Sequence, residues 1–447
     1  MDNPGTTGLD KIPSKLQQPG AFRFWAAIAL TGATTGIWAA ILTRLLEWVQ
    51  RLAWGGSGVD LLDAAGGASA RHRILVLAGA GLLTGLGQVI LRHLSSGNGI
   101  DTTAAIWFHA GRMPALRTLG SAVLSIVIVG MGTSLGREGA PKQAGAVMAN
   151  VFADRWRLSD EQRRLLVACG AGAGMGAAYG VPVGGALFAL EVMRGMLALR
   201  FVLPALFASA IAAGVSWIAL PDAPTYHLPA FSNSAGAVAW AFLAGPVVGV
   251  VAVWYVRLIM WADRGRPSGW ERLVLPIGGL GLLGVISVWF PQLLGNGKDV
   301  SQLAFAGAVA PMLLLVLFVL KPAAVALATR TGAPGGLFTP TLTVGAMLGG
   351  ALGAAWSWLW PGLPPGLFAL LGAGAMLAAT TQGPLSSIVL LMELTGRDRS
   401  FVLPLLIVAG MATLVARSIE PRSIYDAKLN AEEIARRQAA RERPVQV

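Results

Sequence analysis

The stretch Gly136-Arg137-Glu138-Gly139-Ala140-Pro141-Lys142-Gln143 brings an arginine, a glutamate and a lysine within six residues of one another. Long apolar runs flank it on both sides, over 119–135 and 144–152. Ionisable groups this deep in apolar sequence are costly in a membrane and usually mark the path of a substrate or an ion. The stretch therefore predicts a functional site within the membrane, where the glycines around Glu138 allow close approach of the backbone.

Pro141 predicts that a helix begins here, because proline is tolerated in the first turn of a helix. The N-terminal end of a helix has free N–H groups and a partial positive charge, and both favour an anion. Glu138 is itself an anion at the place where an anion would bind. A surface loop with solvated charges is the alternative interpretation of this stretch when it is taken alone.

The composition is that of an integral membrane protein. Of the 447 residues, 55% are hydrophobic and only 13% are charged, whereas about a quarter of the residues of a soluble chain are charged. The net charge of +12 suits anionic lipid head groups. We expect a multi-pass protein of the plasma membrane, or of the inner membrane of a bacterium, with the lipid bilayer as a partner.

The residue types argue against several other classes of protein. The single cysteine, Cys169, excludes a disulfide framework. The four histidines never pair at metal-ligand spacing, so neither a metal nor a cofactor is expected. No basic face with stackable aromatic residues predicts nucleic-acid binding. A membrane-embedded enzyme is a remote alternative, because no Ser-His pair, metal cluster or phosphate-cradling loop is evident.

Apolar runs long enough to span a bilayer recur along the chain. The stretch Gly332–Pro340 is rich in glycine and proline and interrupts the apolar sequence. The runs before it cover 24–46, 74–91, 201–220, 237–260, 273–290 and 311–328. Those after it cover 341–360, 368–379, 385–394 and 401–415. The run 165–193 is too long for one straight span and is interrupted at Pro182, so two helices or one broken helix are expected. An all-α integral membrane protein follows.

The second half of the chain repeats the first. Pro182 and Pro384 are 202 residues apart, and Glu191 and Glu393 are separated by the same offset. On a second match, Gly145-Ala146 with Gly345-Ala346, Glu138 falls opposite Phe338. Interrupted segments at corresponding places in two halves predict a binding site at the midplane of the membrane. Chance pairing of Gly/Ala-rich helices is the alternative.

The chain resembles the CLC chloride channel and transporter family. The resemblance runs from about residue 24 to 429 and rests on five motifs in order: Gly97–Ile100, Gly136–Gly139, Gly180–Arg194, Gly336–Pro340 and Ser423–Tyr425. It implies two inverted-topology repeats of tilted and broken helices, and a homodimer with one pore per subunit. We divide the chain accordingly into a cytosolic N-terminal segment 1–23, a first membrane repeat 24–225, a second repeat 226–419 and a cytosolic tail 420–447.

The resemblance also implies roles for particular residues. Glu138 matches the gate, which competes with the anion for its site. Anion-binding positions are matched by Asn98, Gly99, Ile100, Arg137, Gly139, Leu337, Phe338 and Tyr425. Backbone N–H groups and hydroxyls hold an anion without trapping it, as a path for ions requires.

Three departures from the family pattern bear on the mechanism. Asn98 stands where serine is usual, so the sequence does not decide among chloride, fluoride and nitrate as the transported anion. Lys142 stands where an apolar residue is usual. Val192 matches the inner glutamate of proton-coupled members, and Glu191 matches only its neighbour. Because valine cannot carry a proton, the sequence favours passive, uncoupled anion flow. Chloride is the expected anion. The alternative is a proton-coupled exchanger, or a pathway for fluoride or another anion.

Overall fold

The computed structural model of the chain describes residues 21–55, 60–93, 101–231, 234–396, 401–429, 432–433 and 435. Over these residues the structure is all-helical, as predicted, except for turns, loops and one isolated β-bridge. The α-helices are α1 Ala21–Trp54, α2 Leu61–Gly67, α3 Ala70–His93, α4 Thr102–Phe108, α5 Ala115–Gly130, α6 Gly139–Arg155, α7 Asp160–Tyr179, α8 Pro182–Phe188, α9 Leu199–Ser216, α10 Ala235–Arg264, α11 Glu271–Ile286, α12 Lys298–Phe305, α13 Pro311–Arg330, α14 Phe338–Leu359, α15 Pro365–Thr381, α16 Pro384–Thr395 and α17 Val402–Ile419.

Seven helical segments in the described part of the chain are long and apolar enough to cross a membrane. They are Ala21–Trp54, Ala70–His93, Leu199–Ser216, Ala235–Arg264, Pro311–Arg330, Phe338–Leu359 and Val402–Asp426. Shorter apolar helices, α5, α15 and α16, lie between them. Helices too short to span are viable in a membrane protein only where other helices cover their ends, because lipid offers no hydrogen bonds to free backbone groups.

The predicted break near Pro182 is confirmed and recurs in the second half. Gly180 ends α7 in the left-handed conformation (φ 66°), and Pro182 starts α8 two residues later. Gln382 takes the same conformation (φ 60°) after α15, and Pro384 starts α16. A side chain in this conformation costs free energy, and Arg417 stabilises it by donating to the side-chain and backbone oxygens of Gln382 at 2.9 and 2.8 Å.

Matching glycines allow two pairs of helices to pack backbone to backbone. A Cβ atom on Gly145 of α6 would overlap the carbonyl oxygen of Gly170 in α7, and the reverse is also true. Gly345 of α14 and Gly372 of α15 are related in the same way. Small residues at such contacts let helices associate closely in lipid. The boundary predicted at 225/226 falls in the link between α9 and α10, and the division into two repeats remains a prediction.

Candidate anion site

Two loops from opposite halves of the chain meet directly before α6 and α14. The N–H of Gly136 donates to the carbonyl oxygen of Gly336 at 2.7 Å, and the N–H of Gly336 donates back to Gly136 at 2.7 Å. This antiparallel bridge joins the two motifs that sequence reasoning set opposite each other. The N-termini of α6 and α14 are therefore brought close to one point.

The Glu138 carboxylate lies at the N-terminus of α14 and is only 2% exposed. Its Oε1 accepts from the backbone N–H of Phe338 at 2.6 Å. Its Oε2 accepts from the hydroxyl of Thr339 at 3.2 Å and from that of Tyr179 at 3.3 Å. One backbone amide and two hydroxyls, at the positive end of a helix dipole, make a site for a small anion, which the carboxylate occupies.

The space for this carboxylate depends on the two bridging glycines. A Cβ atom on Gly136 would overlap both carboxylate oxygens of Glu138. A Cβ atom on Gly336 would overlap Oε1 and the carboxyl carbon. Any larger residue at either position would force the Glu138 side chain to move or the loop to shift.

Arg137 lines a cavity of about 420 Å³, the Arg137 cavity, together with the C-terminal end of α1 and the start of α12. Its guanidinium lies 4.8 Å from the centre of the Tyr179 ring, a cation–π contact. The charged residues of the cavity are of both signs: Glu47, Arg51, Asp60, Arg137, Lys298 and Asp299. Arg137 thus positions the ring of Tyr179 and adds positive charge on one side of the gate.

Tyr425 lines a smaller cavity of about 40 Å³, the Tyr425 cavity, with Leu337, Lys142 and Asp101. A short turn, Ile424–Lys428, carries the tyrosine and is held by a capping box between Ser423 and Asp426. The Tyr425 ring meets the Phe188 ring edge-on at 5.6 Å. Glu138 lies between Arg137, which lines one cavity, and Lys142, which lines the other.

Lys142 is buried one helical turn after Glu138. The prediction that a helix begins in this stretch, with Pro141 in its first turn, is confirmed: α6 begins at Gly139. The backbone N–H of Lys142 donates to the carbonyl oxygen of Glu138 at 3.3 Å, so the two residues are one helical turn apart. The ammonium lies 4.6 Å from the centre of the Tyr425 ring.

Glu191 and Val192 lie at the start of α16, where a Cβ atom on Gly383 would meet the Val192 side chain at 2.6 Å. The Glu191 carboxylate accepts from two N–H groups at the start of α16, those of Leu385 at 3.2 Å and Ser386 at 2.6 Å. Glu393, its repeat mate, accepts from Val183 at 3.0 Å and from Gly184 at 2.6 Å, at the start of α8. Each glutamate thus caps the broken helix of the other half, and neither is a contact of Glu138.

The remaining predicted residues divide into two groups. Asn98, Gly99 and Ile100 lie outside the described residues, which resume at Asp101, the N-cap of α4. Gly139 packs against the bridge, since a Cβ atom there would lie 3.0 Å from the nitrogen of Gly336.

Sequence reasoning missed Thr339 and Tyr179 as donors to the gate. Thr339 could have been found from the repeat, because it follows the residue that falls opposite Glu138. Tyr179 carries no such signal, since it is one aromatic residue at the end of a Gly/Ala-rich helix 41 residues away along the chain.

These helices define a multi-pass membrane protein in which the buried carboxylate of Glu138 lies where two helix N-termini meet. The family model described as voltage gated chloride channel matches residues 79–417. The chain therefore belongs to this family, the CLC family, as its sequence motifs indicate. It is an anion transport protein and not an enzyme.

Similar proteins cover nearly the whole chain. The H(+)/Cl(-) exchange transporter ClcA of Salmonella schwarzengrund is 30% identical over 464 residues, which cover 97% of this chain and 94% of that protein. Among solved structures, a slow cyanobacterial Cl-/H+ antiporter has a TM-score of 0.79 at 21% identity, covering 94% of this chain and 99% of that one. A CLC-type fluoride/proton antiporter has a TM-score of 0.74 at 19% identity, covering 92% and 98%. These two likenesses show the fold.

Proposed function

We propose that this protein exchanges chloride, or another small anion, for protons across a membrane, with Glu138 as the gate. The observation that carries the proposal is the position of the Glu138 carboxylate on the donors of Phe338, Thr339 and Tyr179. A carboxylate and a halide have the same charge, so they compete for these donors. The anion passes only when the carboxylate leaves, and protonation favours its leaving because it removes the charge that the site holds.

The relatives support proton coupling over the passive flow that Val192 favours. The Salmonella relative is named as an H(+)/Cl(-) exchange transporter, and two solved structures of similar fold are antiporters. A gate that leaves its site upon protonation is also a group that carries a proton. Exchange also needs a route by which protons reach Glu138.

The proposed anion path runs from the Arg137 cavity, past Glu138, to the Tyr425 cavity. Arg137 attracts the anion, Gly139, Leu337 and Phe338 form the backbone around its site, and Tyr425 lies at its inner end. Support for this order comes from the lining residues, since Arg137 and Leu337 flank the gate in different cavities.

The cytosol is proposed on the side of the Tyr425 cavity. A neighbouring cavity of about 340 Å³, the arginine cavity, shares Asp101, Arg266 and Gly335 with it. The arginine cavity is lined by Arg92, Arg117, Arg266 and Arg272. Excess arginine near the ends of spans marks the cytosolic side, and this orientation leaves the tail after α17 in the cytosol.

A homodimer with one pore per subunit is proposed from membership of the family. Counting photobleaching steps of a single-dye label in sparse vesicles should give two steps per spot, and single steps would contradict the dimer.

Exchange is tested in vesicles that contain the purified protein and a high chloride concentration. An outward chloride gradient, with voltage clamped by potassium and valinomycin, should drive protons inward against their own gradient. A chloride electrode and a pH electrode record both movements together. Chloride efflux without proton movement would show passive flow. Repeating the assay with fluoride and nitrate gives the preferred anion.

A further inference from the structure

Lys142 is a cation buried in the wall of the proposed anion path. Only 8% of the residue is exposed, and it lies one helical turn after the gate. Burying an ammonium is costly unless nearby groups compensate for its lost hydration. The charge of Glu138 attracts it, and the Tyr425 ring lies under it at 4.6 Å. Lys142 is therefore not a solvated charge on the surface.

Titratable groups from several elements face the same small cavity. Asp101 approaches it from the N-cap of α4, and its charge acts on Tyr425. The end of α10 and the turn after it add two charged residues to the lining, Asp263 and Arg266. Asp263 forms an ion pair with Arg266 at 2.6 Å, and Asp101 accepts from the backbone N–H of Thr103 at 2.9 Å. Lys142 lines this cavity and follows Glu138 by one helical turn, with its ammonium over the Tyr425 ring.

The position at which the family pattern has a proton-carrying glutamate offers no carrier in this chain. Val192 is 1% exposed and has no titratable group. The carboxylate of Glu191 is engaged by the backbone of α16. If protons reach Glu138 from the cytosolic side, another titratable residue near the gate must bring them.

We propose that Lys142 is the proton relay between the Tyr425 cavity and Glu138, an inference that rests on the proposed exchange function. In the transfer, an N–H bond at Nζ of Lys142 breaks and an O–H bond forms at a carboxylate oxygen of Glu138. The products are a neutral amine and a neutral carboxylic acid. The amine then takes a proton from a hydronium ion in the cavity, which leaves water and restores the ammonium. One proton moves from the Tyr425 cavity to the gate in each cycle.

Three substitutions separate a relay from a fixed charge. Lys142→Arg keeps the positive charge but cannot release a proton. Lys142→Met removes both the charge and the titratable group. Lys142→His restores a group that gains and loses protons near neutral pH.

The measurement is the ratio of proton to chloride flux in the same vesicles. The arginine and methionine variants should pass chloride while proton flux falls about 100-fold, which is within the usual contribution of a positioned proton-transfer group. The histidine variant should recover proton flux. Chloride flux through each variant reports that it is folded. If Lys142→Arg passes no chloride, the ratio of proton flux to chloride flux in Lys142→Met and Lys142→His tests the relay instead.

The failure of the relay and the failure of exchange give different results. Wild-type protein that moves chloride but no protons overturns the exchange function and the relay with it. Wild-type exchange that persists at the same ratio in Lys142→Arg or Lys142→Met overturns the relay alone. In that case Lys142 is an electrostatic attractor for anions, and chloride flux and proton flux fall in the same proportion when its charge is removed.

Discussion

At the scale of single residues, the proposed gate is built from complementary parts of two motifs. Glu138 supplies the charge, and Phe338, from the other half of the chain, supplies the backbone donor. A hydrogen bond to an ionised group is worth about 1.5–3 kcal/mol. A gate held by a few such bonds is retained at rest and is displaced by a competing anion or by protonation.

Replacing Glu138 by glutamine tests the gate. The neutral amide resembles the protonated acid, so Glu138→Gln should transport anions at pH 7 at least as fast as wild type does in acid. In wild type, flux should rise as pH falls, because protonation releases the gate; in the variant it should not change with pH. Flux of the variant that rises in acid as steeply as that of wild type would contradict the assignment.

Gly336→Ala tests the space in which the gate sits. The added methyl overlaps the Glu138 carboxylate. Overpacking of about 1–3 kcal/mol would favour its displacement by roughly 5- to 150-fold. Anion flux at neutral pH should therefore increase and lose pH dependence. Gly281→Ala is the matched control, since its Cβ would meet only Ala78 at 3.8 Å. Equal flux through both variants would show that the gate does not depend on this space.

Anion selectivity is tested at Asn98 and Tyr425. The amide of Asn98 can donate to a halide as a serine hydroxyl does, but from a longer side chain. Asn98→Ser should shift the permeability ratios toward chloride, and Tyr425→Phe should change them by removing the hydroxyl. Ratios measured with chloride, nitrate and fluoride gradients that stay the same in both variants would show that neither residue lines the path.

The charged residues of the site were easier to predict from the sequence than the neutral ones. Glu138 is conspicuous because a carboxylate in apolar sequence is costly. Thr339 and Tyr179 are ordinary residues for a membrane helix, and only the fold brings their hydroxyls to one carboxylate. The sequence alone does not place Lys142 relative to Glu138, because that placement depends on whether the helix begins before or after Pro141.

At the scale of helices, two crossed carboxylates stabilise the breaks at α8 and α16. Free N–H groups at a helix start need acceptors, and within a membrane water does not supply them. Glu393 supplies them for α8, and Glu191 supplies them for α16. The repeat offset of 202 residues predicts that the two glutamates share a task, but only the structure shows that each serves the other half.

Removing one of these carboxylates should destabilise the fold without removing the gate. Glu191→Gln and Glu393→Gln should each lower the free energy of unfolding by about 1–2 kcal/mol, the usual cost of losing a cap. Thermal unfolding in detergent measures the effect. Glu47→Gln is the control, because its exposed ion pair with Arg44 contributes about 0.5 kcal/mol. Variants as stable as this control would show that the caps contribute little.

At the scale of the whole molecule, the sequence predicts the class of fold because apolar runs and interrupted segments are imposed by the bilayer itself. Lipid provides no partners for free backbone groups, so spans and breaks leave clear patterns. The shape of the cavities leaves no such pattern. Arg137 and Lys142 are five residues apart along the chain and line different cavities, which only the packing of distant helices decides.

The bridge between Gly136 and Gly336 has a consequence for how the protein is made. Ribosomes deliver the N-terminal half first, and at that stage Glu138 has no Phe338 amide on which to rest. The donors of the second half emerge about 200 residues later, which at 5–20 residues per second is roughly 10–40 seconds of synthesis. Glu138 is therefore translated well before the Phe338 amide that binds its carboxylate, so the proposed gate and the site that it would occupy can form only together.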